Sequence, residues 1–151
     1  MAYDSSIDTK NHIEIVKRLL ASVIKNLEAR AVIHDASKLV SPEKEMYDEF
    51  TPKLKELTYG SEEYKVTLKE MGTALKHHYE NNTHHPEHFI YRIDGMNLLD
   101  LIEMFCDWYA AGLRHANGDM IHSLEINKTR FKMNDQLFEI FKNTYREIKL
   151  E

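Results

Sequence analysis

A chain of 151 residues with 20 basic and 25 acidic side chains carries a formal net charge of −5, which excludes a surface built to track long nucleic-acid backbones. Its hydrophobic fraction of 42% and charged fraction of 30% suit one globular domain, 1–151, long enough to bury a core. The single cysteine, Cys106, excludes an internal disulfide and a cysteine-rich zinc site.

No basic segment followed by an apolar run is seen from Met1 to Ser6, so no signal peptide is expected. No apolar run approaches the roughly 18–20 residues of a membrane span. A cytoplasmic protein without a membrane partner is the expectation.

Five glycines and three prolines punctuate the chain, and few β-branched runs alternate at period two, so the fold is read as all-α. Six to seven helices are expected, with a core over about 8–132 and a last amphipathic helix over about 134–150. Asp8 or Thr9 caps a first helix running to about Ala29, whose apolar positions Ile13, Val16, Leu20, Val23, Ile24 and Leu27 recur at steps of three and four. His12 lies on or beside that stripe. A short second helix spans Ala31 to Leu39. Ser41-Pro42-Glu43 starts a third, with serine as cap, proline in the first turn and an acid near the positive end of the dipole. This helix, Pro42 to about Leu57, is polar and reads as peripheral.

Thr58-Tyr59-Gly60-Ser61 breaks the pattern, and Ser61-Glu62-Glu63 opens a fourth helix to about Asn81. Tyr64, Leu68, Met71 and Leu75 share one face, and His78 follows on it. Residues 82–95 read as a loop holding His84-His85-Pro86-Glu87-His88. A fifth helix, about Met96 to His115, is the most apolar and is placed at the centre. Asn117-Gly118-Asp119 closes it and caps a sixth, Met120 to Lys132. Asn134 or Asp135 starts the last. Its Phe138, Phe141 and Tyr145, with Phe131, suit either core packing or a homodimer contact.

The chemistry-bearing residues form a pattern of their own. In His34-Asp35-Ala36-Ser37-Lys38 a neutral imidazole and a carboxylate stand side by side, able to hold a divalent metal, with a lysine one turn on to face a bound anion. Of nine histidines, five fall in the twelve residues from 77 to 88: His77, His78, His84, His85 and His88. That density favours metal or phosphate contact over a solvated surface loop. Asp107 sits in the most apolar helix, where a carboxylate needs a partner charge, hydrogen bonds or a metal. A structural pair with Arg114, or a solvated face, explains it equally well. His12 is by itself read as a satisfied core or boundary histidine.

His12, then His34-Asp35, then Asp107, in an all-helical chain of this size, resembles the HD-domain superfamily of metal-dependent phosphohydrolases. His34-Asp35-Ala36-Ser37-Lys38 is similar to its His-Asp-x-Gly-Lys motif, with serine in place of glycine and the lysine kept. The run from Leu75-Lys76-His77-His78 through His84-His85-Pro86-Glu87-His88-Phe89, with Asp107-Trp108, also resembles a phage and bacterial family to which no activity is attached. The superfamily resemblance implies a helical bundle in which His12, His34, Asp35 and Asp107 meet on one divalent ion: Mn, Fe, Co, Ni, Zn or Mg. It implies hydrolysis of a small phosphorylated substrate, a nucleotide or deoxynucleotide above others, by a metal-activated water. Lys38 is the first cation for the developing phosphoryl charge, with His78, His85 and Arg114 behind it. His84, His88 or Glu87 would serve as base or acid. Three alternatives stay open: a non-catalytic module that sequesters a nucleotide, a di-iron oxygenase on the same fold, and a bare helical interaction protein whose histidines merely coat a surface.

Overall fold

The computed structural model of the protein describes residues 3–114 and 119–148. Seven α-helices and three short 3₁₀ turns make up its regular structure, and no strand occurs among the described residues. The all-α expectation holds. The expected helix end at His115 and the Asn117-Gly118 turn lie outside the described residues. No described helix is long and apolar enough to cross a membrane.

The chain falls into two units, 1–34 and 35–151. The first is a single helix, α1, Ser6–Ile33, closed by His34 as C-cap. None of its residues is buried. The break expected near Ala29 is absent, because Glu28-Ala29-Arg30-Ala31 are good helix formers with no glycine or proline among them. This corrects one expectation about the site. His12 and His34 stand 22 residues apart on one unbroken rod, which at 1.5 Å per residue separates them by about 33 Å. Two side chains so spaced cannot grip a common ion within one chain, so His12 leaves the expected ligand set.

The second unit starts with a 3₁₀ turn, Ala36–Leu39, and continues through α2 (Glu43–Lys55), α3 (Glu62–Glu70) and α4 (Gly72–Asn81). The single helix expected over 61–81 is two. Met71 closes α3 and Gly72 opens α4 at φ +49°, a backbone state that glycine adopts at little cost. Two 3₁₀ turns, Pro86–His88 and Arg92–Gly95, order the expected loop before α5 (Leu98–Leu113), α6 (Met120–Phe131) and α7 (Asp135–Glu147).

Ser5 precedes α1 and Pro42 precedes α2, neither with a side-chain cap bond, where Asp8 or Thr9 and Ser41 were expected. Side-chain caps start α3, α5, α6 and α7. Ser61 Oγ accepts from Tyr64 N, and Asn97 with Asp100 forms a reciprocal capping box on α5. Asp119 caps α6 and Asn134 caps α7.

Met104, Phe105 and Trp108 of α5 pack with Met120 and Leu124 of α6, Met133, and Phe138 and Phe141 of α7 to form the main core. α5 is central, as its composition predicts, and Phe131 and Tyr145 lie against the same cluster. The last helix therefore spends its apolar face on the core. Phe50 of α2 and Ala74 of α4 are buried with Met71 elsewhere in the unit. α2 is less peripheral than its polarity suggests, since it also buries Glu43 completely.

Candidate metal centre

Asp35 opens the second unit in the left-handed backbone region, at φ 57° and ψ 13°. Aspartate is among the few residues that tolerate this state. The chain turns back, so that Lys38 N–H donates to Asp35 O at 2.9 Å and Lys38 Nζ sits 2.6 Å from Asp35 Oδ2. The lysine one turn on thus attends the carboxylate itself.

α4 delivers His77 and His78 from its last turn, and the segment after Asn82 delivers His84 and His85. Pro86 holds His85 extended, at φ −98° and ψ 126°, as a following proline requires. The result is convergence. Asp35 Oδ1 lies 3.4 Å from both His78 Nε2 and His84 Nε2. His78 Nε2 lies 2.8 Å from His85 Nε2. One ligand atom from each of Asp35, His78, His84 and His85 falls within 4.8 Å of the others.

The far sides of two of these rings are held by carboxylates. His78 Nδ1 lies 2.9 Å from Glu43 Oε2, and His84 Nδ1 lies 3.1 Å from Glu103 Oε1. An Nδ1–H donated to a carboxylate leaves the Nε2 lone pair facing inward, which is the tautomer a metal ligand needs. Glu43 is shared further. Its Oε1 pairs with His77 Nδ1 at 2.7 Å, and Ser37 Oγ–H donates to its Oε2 at 3.0 Å. Asn82 Nδ2 donates to Ser37 Oγ at 2.9 Å.

Burial, then the Lys38 charge, lowers the His78 pKa from its ordinary value. Burial, then the neighbouring His84 and His78, pushes His85 down to about 2. The rings are thereby kept neutral and available as donors. Three imidazole nitrogens, one carboxylate oxygen and two orienting carboxylates fit a divalent cation by donor chemistry and by ring orientation.

The cluster borders a cavity of about 680 Å³. Its lining includes the polar Asp35, Lys38, His78, His85, Asp107 and Arg114 and the aromatic Tyr47, Tyr59, Tyr64, Tyr79, Trp108 and Phe131. This volume lies within the usual span for small-molecule sites. Burial first, then Glu43 and Asp35, raises the Tyr47 pKa, so its hydroxyl keeps its proton. Burial, then Tyr59, pushes Tyr64 up to about 12.

The residues singled out from the sequence divide clearly. Asp35, His78, His84 and His85 come together, with Lys38 on Asp35. Asp107, Arg114 and Glu87 line the same cavity. Glu87 pairs with Arg130 at 2.5 Å. His88 is exposed, and its Nδ1 lies 3.0 Å from the Tyr79 carbonyl, so it braces the loop. His34 ends the first unit one peptide bond before Asp35 and is half-buried. His12 is exposed on α1. His78, His84 and His85, expected as phosphate contacts or proton carriers, fall with Asp35 in a group whose ligand atoms could hold a metal ion.

Glu43, Glu103, Tyr79 and Arg130 were not singled out. Glu43 reads from the sequence only as an acid serving a helix dipole.

Residues 1–147 match the model of a family of unknown function (DUF5662). No curated protein matches the chain, and no solved structure does.

Proposed function

The chain belongs to that family of unknown function, and from its site we propose a metal-dependent phosphohydrolase of the HD-domain kind acting on a small phosphate ester, a nucleotide or deoxynucleotide above others. The observation that carries this reading is the meeting of Asp35, His78, His84 and His85, with their ligand atoms within 4.8 Å of one another beside a cavity of about 680 Å³. These four side chains would hold the ion. Three imidazoles with one carboxylate suit Zn, Fe, Mn, Co or Ni better than Mg, which prefers oxygen. When bound, a divalent ion supplies a Lewis acid that polarises a phosphoryl oxygen and acidifies a water.

The chain's own residues supply the rest. Glu43 and Glu103 fix the rings of His78 and His84. Lys38, held at Asp35, puts a fixed positive charge beside the cluster, where the transferring phosphoryl group gathers negative charge. Arg114 adds a second cation on the cavity wall. Asp107 lines the same wall as a carboxylate able to accept a proton from water. In the overall reaction a water oxygen bonds to phosphorus, the phosphorus–oxygen bond to the alcohol breaks, and the water's proton ends on the leaving oxygen.

The test is a metal-by-substrate screen. Protein purified without chelator should contain about one divalent ion per chain by mass spectrometry of the metals. Zn-, Mn-, Fe-, Co- or Ni-loaded samples should release phosphate from nucleotides or from p-nitrophenyl phosphate. A metal-free protein with no phosphatase activity after loading would overturn the reading. Tight nucleotide binding with no product on long incubation would favour a sequestering module instead.

A further inference from the structure

Two features of the cavity are not used by the hydrolytic chemistry. One is its wall of rings: Tyr59 and Tyr64 meet edge to face with centroids 5.3 Å apart, and Tyr79 and Trp108 line the same space. The other is Glu87, in the 3₁₀ turn Pro86–His88. Its Oε1 accepts from Arg130 at 2.5 Å, and Arg130 also donates to the Tyr79 hydroxyl at 3.4 Å. Glu87 Oε2 is buried, and among the described residues no donor reaches it.

A buried carboxylate oxygen that accepts nothing is rare, because its lost hydration goes unreplaced. Set beside aromatic surface, it is what a cavity needs to read the edge of a flat heterocycle. We propose that the aromatic lining of the cavity binds a nucleobase bearing an exocyclic amino group, with that N–H donating to Glu87 Oε2. Arg130 occupies Oε1 and so fixes which oxygen is offered. An amino group meets that oxygen as a donor. An oxo group in the same place sets two acceptors against each other. The ester class is therefore the adenine- and cytosine-type nucleotides rather than their oxo counterparts. This deepens the phosphohydrolase reading and rests on it for the phosphate half of the ligand.

The experiment is calorimetric titration of the full chain, as purified, with CMP against UMP and AMP against IMP. Each amino form should bind at least tenfold tighter than its oxo partner. Glu87→Gln, which offers both a donor and an acceptor, should reduce both ratios below threefold. Ratios under tenfold in the wild type, no binding by any of the four, or a folded Glu87→Gln that keeps the ratios would each overturn the proposal. If the variant does not fold, the wild-type ratios decide alone. Hydrolysis of p-nitrophenyl phosphate, which has no base, reports on the phosphohydrolase reading separately. Selective binding without that hydrolysis sinks the reaction and leaves the base site standing.

Discussion

Glu43 Oε2 lies 2.9 Å from His78 Nδ1, and the two residues are 0% and 1% exposed. A carboxylate and an imidazole this deeply buried need a reason, since each loses its hydration on folding. The reason is visible in what they share. Ser37 donates to the same carboxylate oxygen, His77 meets the other, and the free edge of His78 faces Asp35 and His85. Glu43 is a positioning residue, acting through the ring it holds.

Glu43→Gln keeps the shape and removes the charge. It should weaken metal affinity by roughly 10–100-fold, the usual cost of losing a carboxylate behind a ligating histidine. Glu103→Gln should do the same through His84. Competition with a chelating dye measures both. Unchanged affinity in folded variants would make these carboxylates mere packing.

His12→Ala should retain full metal content, because α1 carries His12 about 33 Å along the helix from His34. Asp35→Ala and His84→Ala should lose the ion. Metal loss in His12→Ala would mean that α1 does not persist as one helix.

Lys38→Ala should keep the metal and lower kcat more than it changes KM, since its charge is spent on the phosphoryl group as negative charge develops. A drop of about 10²–10³ fits the loss of one fixed electrostatic partner. If kcat is unchanged, the lysine serves only its pair with Asp35.

Gly72 sets the angle at which α4 leaves α3, and α4 carries His78. Its φ of +49° is strained for other residues, yet a Cβ there would meet nothing within 4 Å. The cost of Gly72→Ala is then conformational alone, roughly 1–2 kcal/mol. Gly72→Asn should cost less, because asparagine tolerates the left-handed region. Denaturant midpoints give both values, and equal stability of all three proteins would contradict the backbone assignment.

Helix type and order were legible because the apolar steps of three and four are long and uninterrupted in α1, α5 and α7. Boundaries were less so. Glu28-Ala29-Arg30-Ala31 hold no helix breaker, so the helix runs past Ala29 to Ile33 and leaves His12 far from His34. The break at Gly72 was hidden because Tyr64, Leu68, Met71 and Leu75 keep helical spacing across it. The histidine density announced a site, but its membership depended on pairing across long separations. Glu43 and His78 are 35 residues apart and carry no local signature of each other. A sequence shows which side chains can ligate. Only the packing of α2, α4 and α5 decides which of them meet.

The same burial that readies the rings should make the apo protein acid-sensitive. His78 and His85 have pKa values below the ordinary one, with burial the largest cause in each. In the unfolded chain both titrate near 6.5. Below that pH the unfolded state takes up protons that the folded state refuses, so stability present above 6.5 declines as pH falls, over a window reaching toward about 2 for His85. The slope is at most about 1.4 kcal/mol per pH unit for each histidine. Melting of EDTA-treated protein at pH 7.5 and pH 5 should show the fall, and His85→Gln should flatten part of it. Metal-loaded protein should lose its extra stability over the same range, because proton and cation compete for the same nitrogens. A melting temperature that is flat from pH 7.5 to pH 5, or a slope untouched in His85→Gln, would show that these histidines are not held neutral by the fold.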